Sequence, residues 1–141
     1  MYSYSLAMFN RGRAAPSARL KHAMQYLFIA LLALHALSAV FWAGTSFTFA
    51  RLGKAPEPAL RRAQRGAGIG AILTGAAMGA LMHREGAFGG MQMTLAIGAI
   101  AALIAFVVQV APRIGAEKAQ RIAAPLLALA LVAMVVARYV G

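Results

Sequence analysis

Four long apolar segments, separated by short clusters of basic residues, constrain the fold of this chain more than any other feature. The segments span about residues 24–50, 66–82, 91–111 and 122–139, and a helix crosses the hydrocarbon core of a bilayer with roughly 17–25 residues. Of the 141 residues, 62% are hydrophobic and 12% are charged, whereas about a quarter of the residues in soluble domains are charged. The sequence therefore predicts an all-α, polytopic membrane protein with four transmembrane helices in an antiparallel bundle.

The positions of the charges exclude the function that the net charge first suggests. A formal net charge of +11 is typical of nucleic-acid-binding proteins, whose basic side chains follow the phosphates. Here the basic residues lie between the apolar segments, so we expect no nucleic-acid partner and contact with a lipid bilayer instead. Residues 1–22 form a basic amino-terminal tail in this interpretation, and residues 23–141 form the transmembrane domain.

The same basic clusters predict an orientation. With the termini outside the cytoplasm, the inside loops hold eight basic residues, and the opposite orientation places six there. Because cytoplasmic loops are enriched in Lys and Arg, we expect both termini outside. The alanine- and arginine-rich composition favours the inner membrane of a bacterium. The first segment continues through Trp42 and Phe49, beyond the length of a signal-peptide core, so we expect a retained helix.

His35 is the one ionisable residue near the middle of a predicted span. Glu57, Glu85 and Glu117 all fall between spans, so we expect neither a buried carboxylate for proton coupling nor catalytic residues of that type. Burying an ionisable group in a bilayer is costly, which makes His35 a functional candidate. Neutral imidazole is a good ligand for haem iron or copper. The alternative is a histidine that only bonds a carbonyl or a threonine of a neighbouring helix.

A second group of candidate ligands gathers around the second predicted loop. Thioether and imidazole groups together suit Cu(I), although methionine is also a common gap-filling residue in helices. With His35, the candidate metal ligands are Met78, Met82, His83, Met91 and Met93.

The stretch LHALSAVFWAGTSFTFARL, residues 34–52, places Trp42 seven residues after His35 and Gly44 two residues after Trp42. It resembles the first helix of the copper-resistance D (CopD) family and that of the HemJ-type protoporphyrinogen oxidases. Gly44 is more similar to the CopD pattern, and Arg51-Leu52 is more similar to the HemJ pattern. The lysine that HemJ-type proteins have at the start of the third span is absent from residues 90–94.

Three functions follow as expectations. The resemblance to CopD implies a membrane protein that handles copper, with His35 as the buried ligand and the Met78–Met93 cluster as the uptake site. The resemblance to HemJ implies a redox protein in which His35 is an axial ligand of haem b. The third is a non-catalytic subunit whose glycine-rich second span packs on a partner subunit or on a second copy. The sequence leaves open whether the protein is an enzyme.

Overall fold

The computed structural model describes residues 16–82 and 89–140. Over these ranges the chain forms four α-helices and no strand, as the hydropathy pattern predicts. The helices are α1 (Pro16–Leu52), α2 (Pro58–Met82), α3 (Gly90–Val110) and α4 (Ala116–Ala137). Most of α1, all of α3 and all of α4 are long and apolar enough to cross a membrane. Among the described helices, α2 does not meet this criterion of length and hydropathy.

The composition of α2 explains why it differs from the other helices. It begins at Pro58 rather than at residue 66, and proline suits the first position of a helix because its missing N–H has no intrahelical partner there. The early start brings Arg61, Gln64 and Arg65 into the helix. These side chains, together with the glycines further along, lower the hydropathy of α2 below that of a typical span.

The other helix boundaries also differ from the apolar segments. The first helix begins at Pro16, so residues 16–22 of the predicted tail are helical, and it runs for 37 residues. It ends before Gly53, whose φ of 61° is the left-handed conformation that glycine adopts at helix carboxyl termini. The fourth helix begins at Ala116, which places Pro125 inside it rather than in its first turn. Pro125 therefore leaves the carbonyl of Arg121 without its usual intrahelical donor.

The helices pack on each other through small residues. Consecutive helices are in contact, and α1 also contacts α4. Trp42 and Leu127 are the large members of the core within the described residues, and the remainder are alanines. A Cβ at Gly68 would lie 2.9 Å from the ring of Phe106. Close approach of this kind through small side chains is typical of helix contacts in membranes.

The outer surface is apolar. In the most hydrophobic 18-residue stretch of α1, only 11% is buried inside the molecule, and in that of α3 only 17% is buried. Leu37 is 71% exposed and Val107 is 59% exposed. Exposed apolar surface on this scale indicates contact with lipid.

Candidate functional site

His35 lies in the seam between α1 and α2. It is half-buried, and its Nδ1 is 2.9 Å from the carbonyl oxygen of Ala71 and 3.1 Å from Oγ1 of Thr74. The hydroxyl of Thr74 donates to the carbonyl oxygen of Gly70 at 2.6 Å. The seam therefore provides acceptors, rather than a donor, to the imidazole.

These contacts determine which ring nitrogen carries the proton. A carbonyl oxygen can only accept, so Nδ1 of His35 must donate to Ala71. The neutral ring then has an unprotonated Nε2, and no described residue forms a hydrogen bond with it. Metal-binding histidines show the same arrangement, in which one ring N–H donates to a carbonyl and the other nitrogen binds the metal.

Gly75 makes room for the imidazole. A Cβ at this position would lie 3.1 Å from Cε1 of His35 and 3.4 Å from its Nδ1. A side chain here would push the ring away from the carbonyl of Ala71. At Gly79, one turn further along α2, a Cβ would have no neighbouring atom within 4 Å among the described residues.

The candidate methionines differ in exposure and in the helix faces that they occupy. Met78 is half-buried in α2, and it follows Thr74 by four residues, so both lie on the same face of the helix. On α3, Met91 is half-buried and Met93 is 68% exposed. Residues two apart point to opposite faces of a helix, so these two do not converge on one ion.

The remaining sequence-predicted ligands lie at the end of α2. Met82 is the last residue of α2, and its side chain is outside the described part of the structure. His83 falls outside the described residues. Within residues 16–82 and 89–140, no three His, Cys, Asp or Glu side chains come together as a metal site.

A second polar site, which the hydropathy pattern does not predict, lies where α1 and α3 end and α2 and α4 begin. Trp42 Nε1 donates to Gln109 Oε1 at 2.6 Å, and Gln109 Nε2 donates to Ser46 Oγ at 2.8 Å and to Gln120 Oε1 at 3.1 Å. Gln64 Nε2 donates to Ser46 Oγ at 2.9 Å and to Gln120 Oε1 at 3.0 Å. All four helices contribute to this glutamine network.

The glutamine network is almost fully satisfied. Ser46 Oγ accepts two bonds and donates to the carbonyl oxygen of Trp42 at 2.8 Å, and Gln64 and Gln109 each use both amide hydrogens. Gln120 Nε2 donates to Gln64 Oε1 at 3.0 Å, which occupies one of its two hydrogens. Gln64 is 2% exposed and Gln120 is 3% exposed. Their hydrogen bonds therefore lie in a low-dielectric interior, where each bond is stronger and an unpaired amide would be costly.

A cavity of about 340 Å³ adjoins the glutamine network. Among the described residues, the guanidinium of Arg61 donates a single hydrogen bond, from Nη2 to the carbonyl oxygen of Pro56 at 3.4 Å. Its Nε is buried and has no hydrogen-bond partner among the described residues. The cavity is lined by Arg61, Gln64, Arg65, Gln109, Val110, Ala111, Pro112, Ile114, Ala116, Ala119 and Gln120.

Basic side chains surround this end of the molecule. A Cβ at Gly53 would lie 3.1 Å from Nη2 of Arg121, so the end of α1 meets the start of α4. Arg121 pairs with Glu117 at 2.8 Å, and both side chains are exposed. The basic residues of this end are Arg51, Lys54, Arg61, Arg62, Arg65, Arg113, Lys118 and Arg121, and its acidic residues are Glu57 and Glu117.

One sequence signal points to the glutamine network. Ser46 and Gln109 fall within the predicted spans, and uncharged polar residues in spans bond across helices. Gln64 and Gln120 lie just outside the apolar segments that begin at residues 66 and 122, so hydropathy assigns them to loops. In comparisons with protein-family models, with curated proteins and with solved structures, nothing matched the chain.

Proposed function

We propose that this chain is a polytopic membrane protein that handles monovalent copper through His35. The observation that supports this most directly is the distance of 2.9 Å between Nδ1 of His35 and the carbonyl oxygen of Ala71, a contact that leaves Nε2 of a neutral ring unprotonated. A neutral imidazole fixed in this way is a metal ligand that needs no proton loss before it binds. The resemblance of residues 34–52 to the first CopD helix supports the choice of copper.

We propose that the four helices form an antiparallel bundle in the inner membrane of a bacterium. In this arrangement α2 crosses the membrane together with the other three helices. Helices α1 and α3 pack on α2 and cover part of its less apolar surface. The end with eight basic residues faces the cytoplasm, as expected from the enrichment of Lys and Arg there. Both termini then lie outside, at the end where α2 finishes and α3 begins.

The donors near His35 fit Cu(I). Nε2 of His35 and the thioether of Met78 would hold the ion, and both are ligands that soft Cu(I) accepts. Met78 lies on the face of α2 that carries Thr74, the residue whose hydroxyl is 3.1 Å from the imidazole. Copper is the substrate in this proposal.

The test is Cu(I) binding by the full chain in detergent, measured anaerobically by competition with a chromogenic chelator. Loss of outer-shell partners already costs metal sites roughly 10–100-fold in affinity, so we expect His35→Ala to weaken binding by about tenfold or more. His22→Ala is the matched control, because His22 is exposed in the first turns of α1. We expect it to bind as the wild type does.

The methionines provide a second comparison. We expect Met78→Leu to weaken Cu(I) binding and Met93→Leu to leave it unchanged, because Met93 is 68% exposed on another helix. Equal copper binding by the wild type and His35→Ala would contradict the proposal. A Soret band that His35→Ala removes would replace copper with haem b. A folded protein with neither signal would leave the role of a packing subunit.

A further inference from the structure

We propose that the cavity beside the glutamine network, at the end of the molecule that carries the eight basic residues, binds a phosphate group. The cavity includes none of the residues around His35, and a phosphate site there would be a function separate from copper handling. Its starting point is Arg61, a half-buried residue whose Nε is buried without a partner among the described residues. Leaving a charged guanidinium short of hydrogen bonds is costly, and an anion in the cavity that Arg61 lines would compensate its charge.

The charge of the lining selects an anion. Arg61 and Arg65 line the cavity together with glutamine amides, and the described lining includes no acidic residue. Of the two acidic residues at this end, Glu117 pairs with Arg121, and Glu57 forms no ion pair within 4 Å among the described residues. The only ion pair among the described residues is thus outside the cavity.

Further donors converge on the same space. Gln120 lines the cavity and is 3% exposed, and its Nε2 donates only one hydrogen bond within the described residues, to Gln64. The second N–H is therefore available to a ligand. Ala116 and Ala119 also line the cavity, which places it beside the first turn of α4. Gly115 caps this turn without a side-chain hydrogen bond, so the turn adds positive potential.

These features favour phosphate over other anions. Arginine guanidinium groups match phosphate oxygens with two parallel hydrogen bonds, and a phosphate has enough oxygens to accept from two arginines and an amide. The volume of about 340 Å³ lies at the lower end of the roughly 300–1,000 Å³ typical of small-molecule pockets. Basic pockets between transmembrane helices on the cytoplasmic side hold lipid headgroups, and soluble phosphate esters offer the same chemistry.

The fluorescence of Trp42 is the signal for occupation of the cavity. It is the single tryptophan of the chain, and its Nε1 donates to Gln109, which lines the cavity. We expect occupation of the cavity to change the emission of Trp42. The full chain is purified in a phosphate-free maltoside detergent and titrated with inorganic phosphate, and separately with phosphatidylglycerol added to the micelles.

Two matched pairs of variants locate the site. We expect Arg61→Gln/Arg65→Gln to weaken the response by about tenfold or more, since charged hydrogen bonds are the strong ones. Arg51→Gln/Arg62→Gln removes the same charge from exposed positions at the same end and should retain the response. If the first double variant fails to fold by circular dichroism, Ala116→Glu places a carboxylate at the cavity lining in a position that favours acids in helices. Ala63→Glu, at an exposed position, is its control.

The source of the phosphate is read from the two titrations. A saturable response to inorganic phosphate in the detergent supports a soluble phosphate ester, and a response only to phosphatidylglycerol supports a lipid headgroup. Sodium chloride at equal ionic strength should give no response. An equal response to chloride, an equal loss in both members of a variant pair, or no response to either phosphate source would overturn the proposal.

Discussion

The His35 seam and the glutamine network are both polar sites between apolar helices, but they differ in how their hydrogen bonds are completed. His35 bonds to one neighbouring helix through one ring nitrogen, and its other nitrogen has no partner among the described residues. The glutamine network takes side chains from all four helices, and nearly every donor in it has an acceptor. The difference indicates that the glutamine network holds the helices together, and it agrees with our proposal that the His35 seam takes a ligand.

Trp42 gives the largest expected effect, because it supports the glutamine network directly and packs edge-on against Phe106 with ring centroids 6.0 Å apart. It is 2% exposed. We expect Trp42→Ala to lower the free energy of unfolding by about 3–5 kcal/mol, measured by circular dichroism in SDS-containing mixed micelles. Trp42→Phe keeps most of the packing and loses the bond to Gln109, so about 1 kcal/mol is expected. Equal losses would show that packing contributes little.

Gln120 tests whether the glutamine network acts as one unit. Gln120→Leu removes the partner of Gln64 and of Gln109 and leaves their buried amides unsatisfied, so we expect a loss of about 1–3 kcal/mol in the same assay. Gln64→Leu alone should cost a similar amount. The double variant should cost clearly less than the sum of the two, since it removes both partners of their reciprocal bonds. Additive losses would contradict the coupling.

Gly75 tests the fit of His35 against α2. Gly75→Ala brings a methyl group 3.1 Å from Cε1 of His35, so we expect a net loss of stability of about 1 kcal/mol together with weaker Cu(I) binding. Gly79→Ala is the control, because a methyl group there has no atom of the described residues within 4 Å and alanine favours the helix. Loss of copper binding in both variants would argue against a role for the contact between Gly75 and His35.

His35 itself gives the smallest expected effect on stability. The side chain is half-buried and bonds to one helix, so we expect His35→Ala to change the free energy of unfolding by less than about 1 kcal/mol, although it should weaken Cu(I) binding by about tenfold or more. Unfolding of this variant on the scale of Trp42→Ala would remove the contrast between the two sites. His35 would then be a structural residue.

The sequence predicts the helices well because a bilayer leaves few alternatives to a long apolar helix. It places the starts of α2 and α4 too late, since hydropathy detects the apolar part of a helix and misses polar first turns. That error hides Gln64 and Gln120 in predicted loops. His35 could be selected from its isolation among apolar residues, but its protonated nitrogen depends on the carbonyl of Ala71, 36 residues away.

The glutamine network also includes a side chain from α4, the helix that is synthesised last. Gln120 Oε1, on α4, accepts from both Gln64 and Gln109, and α4 is the last of the four helices to leave the ribosome. Until it inserts, these two amides lack their shared acceptor within the membrane, where an unmet amide is unfavourable. A chain that stops before α4 should therefore be recognisable to membrane proteases as unfinished.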